Sequence, residues 1–154
     1  MAGVSGHEEQ PGLAERTNQL LDTLATMGPV VVAFSGGVDS TLLMVAAAKA
    51  LPSSAVLAAT ADSPSLGSGE LDHCRALAEQ WGIEWRAVAT DEMDDERYRA
   101  NNGDRCYWCK WALMDQLGPL AEARDATVTL GVNVDDLGDH RPGQDAARAR
   151  GARF

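Results

Sequence analysis

The chain of 154 residues carries 23 acidic and 13 basic side chains, a formal net charge of −10 at pH 7, which argues against broad nucleic-acid binding, since that needs a basic surface. The length suffices for one domain with a real core, no apolar run approaches a membrane span, and the polar first ten residues lack a leader pattern and read as a disordered tail. Three cysteines, two of them as Cys106-x-x-Cys109, do not form an even disulfide framework, so the chain reads as reduced and cytoplasmic.

Residues 13–27 space Leu20, Leu21, Leu24 and Ala25 along one helical face and stop at Gly28-Pro29. Residues 30–34 are a short β-branched run, a buried strand. Ser35-Gly36-Gly37-Val38-Asp39-Ser40 follows, then a helix from Thr41 to about Leu51. Pro52-Ser53-Ser54 turns the chain into a second strand at 55–60. A loop with Ser63-Pro64 and Gly67-Ser68-Gly69 precedes a helix at 70–81, with Leu71, Cys74, Leu77, Ala78 and Trp81 on one face and Gly82 as its cap. Residues 83–88 alternate as a third strand, and 91–104 are acidic and irregular. Residues 105–124 read as mostly helical with a break near Gly118-Pro119. A fourth strand at 126–130 leads into a polar loop at 131–143, and the chain stops within or just after a last helix.

Strands alternating with helices predict an α/β fold, a Rossmann-like parallel sheet with helices on both faces and residues 30–34 in its centre. Ligands of such sheets sit beyond the C-terminal strand ends, at a topological switch point. Three polar signals fall at strand ends: 35–40, 60–63 and 131–136.

A strand, a glycine turn and a helix N-terminus make an anion site, because the glycines let backbone approach a ligand and the first-turn N–H groups point at it. Ser35, Ser40 and Thr41 add hydroxyl donors, and phosphate is the expected guest. The plainer alternative is a tight turn with Asp39 or Ser40 as N-cap. A nucleophile elbow is excluded by Ala33, and neither a Walker lysine nor a Gly-x-Gly-x-x-Gly run is present. In Gly131-Val132-Asn133-Val134-Asp135-Asp136, carboxylates can face phosphate through Mg²⁺, with Asp39 and Asp136 as the metal candidates; a polar turn is the alternative. Cys106 and Cys109 read as a redox pair, half a zinc site, part of an iron–sulfur site, or simply two thiols at a helix start.

The hexapeptide 35–40 resembles the pyrophosphate loop, SGGxDS, of the N-type ATP pyrophosphatases (the PP-loop superfamily), which includes GMP, NAD and asparagine synthetases and tRNA-thiolating enzymes. Three further blocks narrow the resemblance: Ala59-Thr60-Ala61-Asp62-Ser63-Pro64, then Asn101-x-x-Asp104-Arg105-Cys106-Tyr107-x-Cys109-Lys110, then Gly131-x-Asn133-x-Asp135-Asp136-x-x-Asp139-x-Arg141-Pro142-Gly143. Together they resemble the LarE family, ATP-dependent sulfur transferases of nickel-pincer nucleotide cofactor biosynthesis. The resemblance implies adenylation of a nicotinate-derived mononucleotide carboxylate with release of pyrophosphate, then sulfur insertion. It implies nucleotide-binding roles for Ser35, Gly36, Gly37, Val38, Asp39, Ser40, Thr60, Ser63, Gly131, Asn133, Asp136 and Arg141, and catalytic roles for Asp39, Ser40, Cys106 and Cys109. ATP and Mg²⁺ are the implied cofactors, with a [4Fe–4S] cluster only in a complete family member.

Val132 stands where that family usually has threonine. Family members normally continue well past residue 154, so residues 11–154 are expected to be the ATP pyrophosphatase domain without the C-terminal sulfur-transfer region. The expectations that follow are ATP binding, no stable cluster and no net sulfur transfer by these residues alone. The partners expected are a small-molecule acceptor and either a second copy or the absent region, with no membrane and no bulk nucleic acid. Two other readings stay open: an RNA-thiolating or amidotransferase-type ATPase of the same superfamily, and a non-catalytic nucleotide-binding module.

Overall fold

Four apolar runs build a wholly parallel sheet. In the computed structural model, which describes residues 11–64, 66–91, 94, 96–100, 105–132 and 142–154, the strands are β1 (Val30–Ala33), β2 (Val56–Asp62), β3 (Glu84–Ala89) and β4 (Thr127–Leu130). Their order is β3-β2-β1-β4, with Val31 between Leu57 and Val128 in register. β1 is therefore central, as its composition predicts. Val30, Val31 and Val32 are all but sealed from solvent, the near-continuous apolar run that a parallel strand covered on both faces requires.

Alternation along β1 sends its side chains into two cores. Val30 and Val32 join Val56 and Ala58 of β2 and, from the inner faces of helices α1 (Leu13–Met27), α2 (Val38–Ala50) and α3 (Glu70–Gln80), Leu24, Met44, Ala47, Cys74 and Ala78. Val31 joins Leu57, Val128, Leu113, Met114, Leu117, Ala121 and Ala147, supplied on that face by α5 (Arg105–Ala123) and α6 (Pro142–Ala149). Each fully buried valine or leucine contributes roughly 1.5–3 kcal/mol, so the two layers clamp β1 and fix where its C-terminal end points.

Several local expectations change. Helix α2 begins at Val38, not Thr41, with Gly37 at its N-cap and no side-chain cap bond; Asp39 and Ser40 lie inside the first turn and are not the cap. Helix α5 runs unbroken through Pro119, because Leu113, Leu117 and Ala121 bury one face on the sheet while Pro119 faces solvent, and packing overrides propensity. A short helix α4 (Glu96–Arg99) interrupts the stretch read as irregular. Trp81, placed on the buried face by periodicity, is instead 44% exposed, since it caps the end of α3, and Ala25 is likewise exposed. After α6 the chain returns to the sheet: Arg153 bridges Thr129 in parallel. Among the described residues no helix is long and apolar enough to cross a membrane.

Candidate nucleotide site

The order β3-β2-β1-β4 puts the switch point between β1 and β4, because the chain leaves β1 in one direction through β2 and β3 and returns on the other side as β4. A cavity of about 360 Å³ opens beyond these strand ends. Ser35, Gly37, Val38, Asp39 and Ser40 line it after β1, Thr60 and Ser63 at the end of β2, Thr90 just beyond β3, and Gly131 after β4. Glu70 and Cys74 face it from α3, and Cys109, Lys110 and Leu113 from α5.

The loop at 35–40 is held by a closed ring of hydrogen bonds. The Gly37 N–H donates to Ser35 Oγ at 3.4 Å, the two serine oxygens lie 3.1 Å apart, and Ser40 Oγ donates to the Gly37 carbonyl at 3.3 Å. Each hydroxyl has one proton, so Ser35 Oγ must donate to Ser40 Oγ. Ser40 Oγ also accepts the Ser35 N–H at 3.2 Å. The serines thus shape the loop before they meet any ligand. The N–H groups in the first turn of α2 have no intrahelical acceptor and remain for an anion, with the helix dipole behind them.

Two glycines make this arrangement possible. Gly36 has φ +78°, and a Cβ there would lie 3.1 Å from Cys74 Sγ and from His73 Cδ2, so α3 presses directly on the loop. Gly131 is tighter: its Cβ would lie 2.5 Å from the Asp39 carbonyl oxygen and 3.0 Å from the Ser40 nitrogen. The end of β4 and the start of α2 touch backbone to backbone.

Thr60 is the hub of the wall opposite. Its hydroxyl donates to the Phe34 carbonyl at 2.7 Å and accepts the Trp85 indole N–H at 2.9 Å, so it is engaged in joining β1, β2 and β3. It also touches the Cys74 thiol. Burial pushes that thiol above the ordinary range; the Thr60 hydroxyl works the other way, and the Glu70 carboxylate pushes up again. A thiol raised in the folded state contributes stability that is complete below the ordinary thiol range and declines as pH rises past it. Cys74 is accordingly expected to react with iodoacetamide more slowly than Cys106 or Cys109 at pH 7.5, read by peptide mass spectrometry. Equal labelling would contradict its burial.

Of the residues singled out in the sequence, Ser35, Gly37, Val38, Asp39, Ser40, Thr60, Ser63, Cys109 and Gly131 share this one cavity; Gly36 packs against Cys74 and His73, and Thr41 is not among the lining residues. Cys106 is in the first turn of α5, its side chain outside the described part. Asn133, Asp136 and Arg141 lie outside the described residues. Glu70, Cys74, Thr90 and Lys110 also line the cavity, and no motif in the sequence points to them as a group. Among the described residues no group of three His, Cys, Asp or Glu side chains is gathered for a metal. Mg²⁺ on a nucleotide needs only one or two carboxylates besides phosphate oxygens, and Asp39 and Glu70 on the cavity wall fit that requirement.

The profile of the asparagine synthase family matches residues 18–101. An uncharacterized protein of Synechocystis sp. is 44% identical over 92% of this chain and 53% of its own length. The pyridinium-3,5-bisthiocarboxylic acid mononucleotide synthase of Lactiplantibacillus plantarum is 32% identical over 92% of this chain and 51% of its own. The chain thus spans about half the length of these relatives. Among solved structures, the NH3-dependent NAD synthetase of Campylobacter jejuni superposes with a TM-score of 0.69 at 17% identity, covering 82% of this chain and 59% of that one. The glutamine-dependent NAD+ synthetase of Acinetobacter baumannii, in complex with ADP, gives 0.71 at 16% identity, covering 90% and 30%. These likenesses carry the fold, Rossmann-like and parallel. The profile match, which spans more than half of the chain and includes the serine–glycine loop at the switch point, places the chain in the asparagine synthase family of the PP-loop ATP pyrophosphatase superfamily.

Proposed function

We propose that this chain binds Mg–ATP and adenylates a substrate carboxylate, as the ATP-using part of a LarE-type sulfur transferase acting on a nicotinate-derived mononucleotide in nickel-pincer cofactor biosynthesis. The observation that carries it is the pre-shaped loop of Ser35, Gly37 and Ser40, set at the switch point and facing Lys110 across one cavity. A carboxylate oxygen of the acceptor attacks the α-phosphorus of ATP. The bond from that phosphorus to the bridging oxygen breaks, and the electron pair leaves with pyrophosphate. First-turn amides of α2 hold the departing phosphates, and the Lys110 cation offsets charge that develops on the α-phosphate. Asp39, with Glu70, would hold the Mg²⁺ that neutralises phosphate oxygens.

In the second stage a sulfur nucleophile bonds to the acyl carbon and AMP departs with the carbon–oxygen electron pair. Cys109, on the cavity wall, and Cys106, one turn before it, are the thiols assigned to sulfur handling. This acceptor class is supported by the 32% identical mononucleotide synthase. The test is a product assay with ATP, Mg²⁺ and nicotinic acid mononucleotide. Pyrophosphate is expected, with the AMP moiety carried on the mononucleotide carboxylate as the acyl adenylate, and pyrophosphate formation should depend on the mononucleotide. ADP with inorganic phosphate as the products, or a folded protein that does not bind ATP, would overturn the reading.

A further inference from the structure

We infer that Thr90, just beyond the C-terminal end of β3, is a specificity-determining residue of the site, its hydroxyl hydrogen-bonding a polar group at the nucleoside end of the bound nucleotide. The inference deepens the ATP reading and rests on it. Thr90 is 92% buried, at 8% exposure, and its Oγ1 has no hydrogen-bond partner. It is the single buried side-chain oxygen or nitrogen among the described residues left in that state. A hydroxyl removed from water without a partner costs free energy, and native proteins rarely keep one without use. Here the orphan lines the cavity. Its own backbone is well held, the N–H donating to the Asp62 carbonyl at 3.1 Å, so the residue is fixed in place with its hydroxyl unspent.

Position sets what it meets. The anion loop follows β1, and β3 is two strands away in the order β3-β2-β1-β4. Neighbouring strands lie about 4.8 Å apart, so the end of β3 is roughly 10 Å from the phosphate loop. A nucleotide gripped by its phosphates at the α2 N-terminus and laid across the strand ends brings its nucleoside, not its phosphates, to Thr90. Between the two lies Thr60, the residue a motif reading would choose, but its hydroxyl is already shared between Phe34 and Trp85. The Thr90 hydroxyl, by contrast, has both its proton and its lone pairs unengaged.

The contrast yields a test that separates binding from structure. Titration calorimetry with Mg–ATP, and thermal melting without it, are run on the whole chain carrying Thr90→Val or Thr90→Ser. Valine keeps the shape and removes the hydroxyl. Because that hydroxyl has no partner to lose, the melting temperature should hold or rise, while ATP affinity falls roughly tenfold. Serine should restore affinity to within about threefold of the parent. Unchanged ATP affinity in Thr90→Val overturns the inference and leaves the ATP reading standing. A lowered melting temperature in Thr90→Val, or serine failing to restore binding, makes the residue structural and also overturns it. Failure of the folded parent chain to bind ATP removes the nucleotide reading and the inference together.

Discussion

Replacing Gly131 with alanine is expected to destabilise the protein by about 2–3 kcal/mol, toward the upper end of what overpacking a tight site costs. The added methyl would lie 2.5 Å from the Asp39 carbonyl oxygen and 2.7 Å from its carbonyl carbon. Both are main-chain atoms, so no rotamer change relieves the contact. Either β4 or the first turn of α2 must move. Neither does so freely, since Val128 and Leu130 anchor β4 in one core and Met44 and Ala47 anchor α2 in the other. A urea midpoint shifted down at unchanged slope is the measurement. ATP affinity should fall with it, because the elements forced apart are the two walls of the anion site. A Gly131→Ala chain that melts with the parent would show that strand and helix are not in backbone contact.

That contact illustrates what could and could not be read from the residues. Val30 to Val32 announce a strand covered on both faces, and the glycine pair after it announces an anion turn. Both signals are local, and both concern residues adjacent in the chain. In isolation Asp39 and Ser40 are good capping residues, and on that ground alone α2 would start at Thr41. The loop instead spends Ser40 on Ser35 and Gly37, and the helix begins three residues sooner. Pro119 predicts a break only because propensity is local, while the burial of Leu117 and Ala121 that holds α5 together is tertiary. Glu70, Thr90 and Lys110 reach the cavity from three separate elements. No spacing rule links them, and topology alone brings them together. Trp85 offered no hint that it would occupy the Thr60 hydroxyl, since a tryptophan on an alternating strand reads simply as core.

Replacing Gly37 with valine is expected to abolish nucleotide binding and leave the fold intact. Gly37 has φ −74° and ψ 170°, ordinary extended backbone that valine adopts without strain. A Cβ there meets only Ser35 Oγ, at 3.4 Å, an ordinary contact. Stability should therefore stay within about 0.5 kcal/mol of the parent. The residue lines the cavity at the mouth of the α2 N-terminus, where a phosphate must come within hydrogen-bonding distance of main-chain N–H groups. Branched methyls occupy that approach, and each charge-assisted bond forfeited costs roughly 1.5–3 kcal/mol. Losing two would weaken Mg–ATP binding by a hundredfold or more. Neighbouring substitutions discriminate less well. Gly36→Ala combines a left-handed φ with pressure on Cys74 and His73. Ser40→Ala should weaken binding by about 1–3 kcal/mol, but it also opens the serine ring, so loop disorder and lost contact arrive together. Only position 37 separates ligand sterics from loop integrity. If calorimetry finds the parent affinity in a folded Gly37→Val chain, the phosphates do not sit on this loop, and the first-turn amides of α2 have another purpose.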